Sequence, residues 1–380
     1  MSMKLETMPS IEAIAAEDWD ALVGDYPFQS HAFFLALERT ACVGKGTGWQ
    51  PIYFVIRQDD ELIATAACFI KAHSMGEFVY DMGWAREAER YGIRYYPKLV
   101  AASPFSPVTG PRLHAKTPAL QGALARAIVD VAERLGCAGA HVLFPSPSEE
   151  ENIRNEYQSF ARRTHFQYQW FNQGYASFDD FLQALRSRRR KEIRRERNSI
   201  ANAGIHVEAK IGGSLTADEI QRVAQLYRIT CDRFAWGGAY LSDEFFHEFI
   251  RLAPDKVVFF DAQREGETIA GAFCVRAQTR LYGRYWGSFH DVPNLHFETC
   301  FYRPIEWAIE QGIEVFEPGA GGEHKFARGF MPTLTSSLHR HFHPGFHDAI
   351  DRFCGEESAI VEREIDHLSS LESPYKRDPR

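Results

Sequence analysis

Apolar residues recur at helical spacing over 30–40, 116–136 and 147–161, and gather in strand-like runs near 51–57, 62–70 and 139–144. The first half is therefore expected to be mixed α/β. The alternation restarts after about residue 175, with a long charged helix to about 202, a strand at 205–210, and helices at 217–234 and 242–252. Strands near 256–263, 268–276 and 280–286 follow, then a helix at 297–311, a strand at 313–317 and a pair of strands before Pro344. Asp348–Leu371 reads as an amphipathic helix and Ser373–Arg380 as a disordered tail. The predicted organisation is one lobe over 1–174, a second over 175–345, a helix over 346–372 and a tail over 373–380.

The halves share a local pattern. Tyr53-Phe-Val-Ile-Arg-Gln-Asp-Asp-Glu-Leu-Ile-Ala-Thr-Ala and Phe259-Phe-Asp-Ala-Gln-Arg-Glu-Gly-Glu-Thr-Ile-Ala-Gly-Ala both read as strand, acidic turn, strand, and Ile63–Ala66 aligns with Ile269–Ala272. Small residues opening the second strand let a helix approach the sheet closely. An internal repeat is the expectation.

At 380 residues, 45% of them hydrophobic, the chain can bury enough surface for two domains. Neither an N-terminal leader nor a bilayer-length apolar run is evident, so a cytoplasmic location is expected. The seven cysteines are scattered and form no C-x-x-C pair, which argues against a disulfide framework or zinc knuckle. A net charge of -8 excludes broad wrapping of nucleic acid, so any polyanion must be met locally.

The element order of the second half resembles the GCN5-related N-acetyltransferase (GNAT) fold. Further motifs are Trp49-Gln-Pro, Arg94-Tyr-Tyr-Pro-Lys-Leu-Val, Pro104-Phe-Ser-Pro-Val-Thr-Gly-Pro-Arg, Ser187-Arg-Arg-Arg-Lys-Glu-Ile-Arg-Arg-Glu-Arg, Tyr282-Gly-Arg-Tyr-Trp-Gly, His296-Phe-Glu and Glu317-Pro-Gly-Ala-Gly-Gly-Glu-His-Lys-Phe-Ala-Arg-Gly-Phe. With these motifs the whole chain resembles the bacterial FemAB-like N-acyltransferases, relatives of the Fem peptidyltransferases that lengthen peptidoglycan bridge peptides from aminoacyl-tRNA. The resemblance implies an α/β fold of the α+β type: two tandem GNAT-like acyltransferase lobes, with mixed antiparallel sheets flanked by helices. It also implies transfer of an aminoacyl group to a small-molecule or peptide amine. The alternatives are an acyl-CoA-dependent N-acetyltransferase, or a non-catalytic module that recognises a cell-wall precursor or another anionic ligand.

The arginine-rich stretch is expected to lie on one helix, Ser177–Ala201, whose apolar stripe is Phe181, Leu182, Leu185, Ile193 and Ile200. Arg189 and Glu196 fall on that stripe, so an inner Arg189 paired with Glu196 is expected. Arg188, Lys191, Arg194 and Arg195 fall outside it and are candidates to hold an anionic substrate, unless pairs such as Arg188 with Glu192 merely solvate the face.

GNAT enzymes that use acetyl-CoA carry a glycine-rich turn after the fourth strand, whose backbone N–H groups grip the pyrophosphate. The corresponding segment here, Trp286–Glu298, has no second glycine and contains Pro293. This moves weight from acetyl-CoA to aminoacyl-tRNA as co-substrate, with no resident cofactor expected. Amide formation needs a base for the amine proton and a partner for the oxyanion. The catalytic candidates are His324, Glu323, Glu298 and His296. Arg284, Lys325 and Arg328 join the substrate-binding candidates, and the resemblance adds Lys98 and Arg112 on the acceptor side. His339, His341 and His343 alternate on a predicted strand, but no carboxylate stands at ligand spacing and no metal is expected.

Overall fold

The computed structural model describes residues 3–157, 159–233, 238–371 and 373–376. Its strands are β1 (Met3–Met8), β2 (Trp49–Gln58), β3 (Glu61–Lys71), β4 (Lys98–Ala101), β5 (Leu113–Ala115), β6 (Gly139–Leu143) and β7 (Ala161–Phe171). Then come β8 (Ile205–Ile211), β9 (Val257–Arg264), β10 (Glu267–Arg276), β11 (Arg280–Ser288), β12 (Val315–Glu317) and β13 (Met331–His341). Contacts divide the chain into two compact units, Met1–Phe166 with Leu334–Arg363, and Gln167–Thr333 with Glu364–Arg380.

In the first unit the order is β1-β2-β3-β4-β6-β13, with β5 beside β3; every pairing is antiparallel except β4 with β6. The second unit has the order β8-β9-β10-β11-β12-β7, again antiparallel except for one pair, β11 with β12. The two sheets thus have the same plan. The strand closing the first comes from late in the chain, and the strand closing the second from its first half.

The hairpins that carry the sequence repeat occupy equivalent places. Asp59 and Asp60 turn β2 into β3 at φ 48 and 69, and Glu265 and Gly266 turn β9 into β10 at φ 56 and 82. Two consecutive positive φ values are what a tight hairpin needs to match strand twist. Small residues then admit the flanking helices. Ala64 and Ala66 share a core with Leu124, Ala125 and Ile128 of the helix Pro118–Arg134. In the second unit a Cβ on Gly287 would stand 2.1 Å from the Leu226 carbonyl oxygen, so only glycine lets the helix Ala217–Arg233 lie so close.

Several expected elements differ. The helix after Pro147 ends at Glu156, and β7 follows as a strand that the periodicity did not suggest. One unbroken strand, β13, replaces the pair expected before Pro344, and the last helix begins at Pro344. Residues 334–363, expected in or after the second lobe, cluster with the first because Ser337–His341 pairs with β6. The expected tail is ordered at its start: Leu185 bridges Tyr375, whose hydroxyl donates to the Gly329 carbonyl at 2.7 Å. Residues 377–380 of that tail lie outside the described residues, as does residue 234 of the helix expected at 217–234.

That bridge also breaks the long arginine helix. Leu185 is extended, so Phe178–Ala184 and Ser187–Asn202 are separate helices. The break rotates the wheel: Ile193, Glu196 and Ile200 become the buried line of the second helix.

Candidate functional site

The candidate site lies in the second unit, where the chain leaves β11. It turns through Asn294 at φ 68 into Leu295–Phe297, a five-residue π-helical turn Glu298–Tyr302, and Arg303–Glu310. The extra residue of a π turn redirects neighbouring side chains. His296, Cys300 and Phe301 face a cavity of about 320 Å³, Glu298 faces Arg197, and Tyr302 faces Glu196.

The cavity's other walls include Arg284, Tyr285 and Trp286 of β11, the glycine loop after β12, and His324 and Lys325. Arg284, His296, His324 and Lys325 make its lining basic, and no carboxylate is among the described residues that form it. Lys325 is buried, and its ammonium donates to the carbonyls of Gly319, Ala320 and Gly321 at 2.7, 3.3 and 2.6 Å. Burial lowers its pKa to about 8. The His296 ring lies 5.1 Å from both Trp286 and Phe301 and 5.7 Å from His324, centroid to centroid. Burial first, then the charges of Lys325 and Arg328 together with His324, lowers His296 to about 4. His324 is shifted down for the same reasons while staying exposed at the rim. Both imidazoles are therefore neutral near pH 7 and able to accept a proton.

Arg328, expected to touch substrate, is instead an internal brace. Its guanidinium donates to both oxygens of Glu196 at 2.8 and 3.1 Å, to the Tyr302 hydroxyl at 2.8 Å and to the His324 carbonyl at 2.9 Å. It stacks 3.4 Å above the Phe297 ring, and Tyr302 also donates to Glu196. Glu196 thus serves Arg328, not Arg189. Arg189 stands partly exposed and pairs with Glu192 at 3.0 Å, the partner expected for Arg188. This buried network ties the arginine helix to the backbone that carries His324.

Glu298 is buried and bound to Arg197 at 3.0 Å; Arg197 also holds Glu306 at 2.9 Å and stacks on Phe178. These groups line a different depression from His324, so Glu298 is not brought together with the histidines. Glu323 is exposed and acts electrostatically on Tyr168. Lys325 keeps its place in the cavity but has its donors occupied by the loop. Arg284 lines the cavity as expected. Arg188, Lys191, Arg194 and Arg195 are all exposed. Arg194 pairs with Asp179 at 3.0 Å, whereas Arg188, Lys191 and Arg195 form a basic surface with no ion-pair partner among the described residues.

Lys98 is not available to an acceptor. In the first unit it is 1% exposed, donates to Glu77 at 2.7 Å and to Ser74 at 3.0 Å, and is bound closely by Asp81. Burial would lower its pKa, but the two carboxylates raise it above the usual lysine value. Arg112 is likewise buried, donating to the carbonyls of Leu143, Gly110 and Pro111. Sequence reasoning missed Tyr302, Arg197 and the loop carbonyls around Lys325. Only the Gly319-Ala-Gly-Gly322 run advertised the last of these. The expected histidine row disperses: His339 shares a 2.9 Å nitrogen–nitrogen contact with His141, His341 meets the Arg94 carbonyl, and His343 lies beyond β13.

The arrangement of the chain is found in solved structures. FemX is 13% identical, with a TM-score of 0.53 over 91% of this chain and 100% of that one. L-PGS from Bacillus licheniformis is 12% identical, with a TM-score of 0.50 over 85% and 96%. The C-terminal domain of a putative lysylphosphatidylglycerol synthetase from Agrobacterium fabrum is 11% identical, with a TM-score of 0.54 over 93% and 96%. At such identities the likeness concerns the fold alone. No curated protein matches the chain in sequence. No helix among the described residues is long and apolar enough to cross a membrane. The FemAB-like model, described as peptidoglycan biosynthesis and recognition, matches residues 10–377, so motifs, fold and family model agree: the chain belongs to the FemAB-like family.

Proposed function

We propose that this protein is an N-acyltransferase that passes an aminoacyl group from aminoacyl-tRNA to an amine acceptor, such as the peptide of a cell-wall precursor. The observation that carries the reading is the carboxylate-free cavity in which two neutral histidines face the buried charge of Lys325. His324 takes the proton as the amine attacks the ester carbonyl. The charge of Lys325 lowers the energy of the oxyanion, and the proton passes to the departing ribose hydroxyl as the ester bond breaks. His296 keeps the pocket around His324 dry and aromatic. The connection from β11 to the following helix, Phe289–Asn294, has no glycine and contains Pro293, which favours an ester of tRNA over coenzyme A as donor. Arg188, Lys191 and Arg195 offer a surface for its phosphates.

The test is transfer of radiolabelled amino acid from mixed charged tRNA to a panel of muropeptide amines, with acyl-CoA esters in parallel. Label reaching an amine only from tRNA, and lost in His324→Ala, is the expected result. Transfer from acyl-CoA alone would replace the donor. Tight binding of a muropeptide with no transfer from either donor would leave a recognition module.

A further inference from the structure

Residues 373–376 lie as a strap across the break at Leu185. The Lys376 N–H donates to the Ala184 carbonyl and the Arg186 N–H to the Pro374 carbonyl, each at 2.9 Å. The Arg186 guanidinium also donates to the Tyr375 carbonyl at 3.1 Å. Arg186 is the N-cap of the helix Ser187–Asn202, and its own carbonyl accepts a bond from the Arg190 N–H at 3.1 Å. The strap therefore fixes the residue from which the helix bearing Arg188, Lys191 and Arg195 departs.

The Tyr375 side chain reaches a second element. Its hydroxyl donates to the Gly329 carbonyl at 2.7 Å, and the N–H of that same peptide, belonging to Phe330, donates to the Lys325 carbonyl at 3.2 Å. The peptide is planar, so fixing its oxygen also fixes the N–H that rests on Lys325. Gly329 closes the turn Glu323–Arg328 at φ 93, and a Cβ there would stand 2.9 Å from the Phe181 ring and 3.1 Å from the Tyr375 hydroxyl. Burial raises Tyr375 well above the ordinary tyrosine pKa, so its hydroxyl remains a donor near pH 7. The pair of Glu196 with Arg328 already ties this turn to the helix, but one tie leaves the two free to rock about it. Arg186 stands about ten residues earlier, roughly 15 Å along the helix, where a second tie removes that freedom.

We propose that Tyr375 is a positioning residue, which holds the turn bearing His324 in one orientation against the start of the arginine helix. Its kinetic consequence rests on the reading of His324 as the base and of the helix as the tRNA surface; its geometric consequence does not. Tyr375→Phe deletes the bond to Gly329 and leaves the backbone bonds to Ala184 and Arg186 in place. The turn then loosens while the basic surface stays. Burial and the charges of Lys325 and Arg328 hold the His324 pKa below 6.5, and a loosened turn gives up part of both, so that pKa rises.

The experiment follows the His324 imidazole by NMR of the full chain labelled on histidine, assigned by its loss in His324→Ala, beside the kinetics of transfer from charged tRNA. Tyr375→Phe should move the His324 midpoint to higher pH and shift the acid limb of the kcat profile the same way. It should lower kcat about tenfold and leave KM for tRNA within about twofold. Val129→Ala, a cavity in the core of the first unit, lowers stability without touching the strap and should leave the His324 midpoint where it is. Tyr375→Ala should enlarge the shift; should that variant not fold, Tyr375→Phe decides alone. An unmoved midpoint in Tyr375→Phe, an equal shift in Val129→Ala, or a raised KM with kcat retained would each overturn the proposal. Absence of transfer by the unaltered chain would instead sink the reading of the function, and the NMR arm would still decide on Tyr375.

Discussion

The brace of Glu196, Arg328 and Tyr302 permits a quantitative test of what holds the candidate site in place. The Arg328 and Glu196 side chains are 9% and 8% exposed, and the guanidinium has no water to turn to when its carboxylate is removed. Glu196→Ala leaves a buried cation with only a phenol and a carbonyl, a loss on the order of 3–5 kcal/mol. At about 2–4 °C per kcal/mol for a unit of this size, the melting temperature should fall by roughly 10 °C. The apolar triple substitution Glu196→Leu, Arg328→Met and Tyr302→Phe removes charge and partners together, so it should be less damaging than Glu196→Ala alone. Urea midpoints and calorimetry of the two variants measure both quantities. If Glu196→Ala costs under about 1 kcal/mol, or the triple variant is the weaker of the two, the network is not the buried ion pair described here.

Three further outcomes are expected. Replacing Arg188, Lys191 and Arg195 by Glu should leave the melting temperature nearly unchanged, because none has an ion-pair partner, and should reduce the salt dependence of RNA binding by about 2–3 in log–log slope, as filter binding would report. Lys325 has a folded pKa of about 8 against an ordinary 10.5, so below pH 8 both folded and unfolded chains carry its proton. Between those values only the unfolded chain binds it, stability rises with pH, and Lys325→Met should flatten that rise in denaturant titrations. Lys98→Met strands Glu77 and Asp81 and should destabilise the protein by about 3–5 kcal/mol; normal unfolding with selective loss of acceptor binding would instead restore Lys98 as a ligand residue.

Much of the fold was legible because hairpins and amphipathic helices are local. The strands at 51–57, 62–70, 256–263 and 268–276 sit within a few residues of β2, β3, β9 and β10, and the two-residue acidic turns carry the repeat. What failed was non-local. The break at Leu185 is imposed by a strand bridge to Tyr375, which no window around the arginine helix contains. The partner of Glu196 lies 132 residues away, so a wheel drawn on one helix chose Arg189 instead. His296, His324 and Lys325 were legible as a group of ionisable residues near glycines. That Glu298, two residues beyond His296, leaves the group follows from the π turn, and sequence spacing gives no warning of it.

The two units raise a question that their common plan sharpens. Each has a single parallel strand pair, β4 with β6 and β11 with β12, and each buries a lysine in the structure around that pair. In the first unit Lys98 is neutralised by two carboxylates, and the neighbouring Lys71 lies over the Trp49 ring with Glu77 at 4.0 Å. Such a cluster is electrically closed and offers no charge to a ligand. In the second unit Lys325 meets only carbonyl dipoles, which orient its charge without cancelling it, and a cavity remains open in front. Duplication of a fold therefore does not imply duplication of a site. Where the buried cation has carboxylates, the parallel pair is a structural core; where it has only a glycine loop, uncancelled charge remains for an incoming anion to meet.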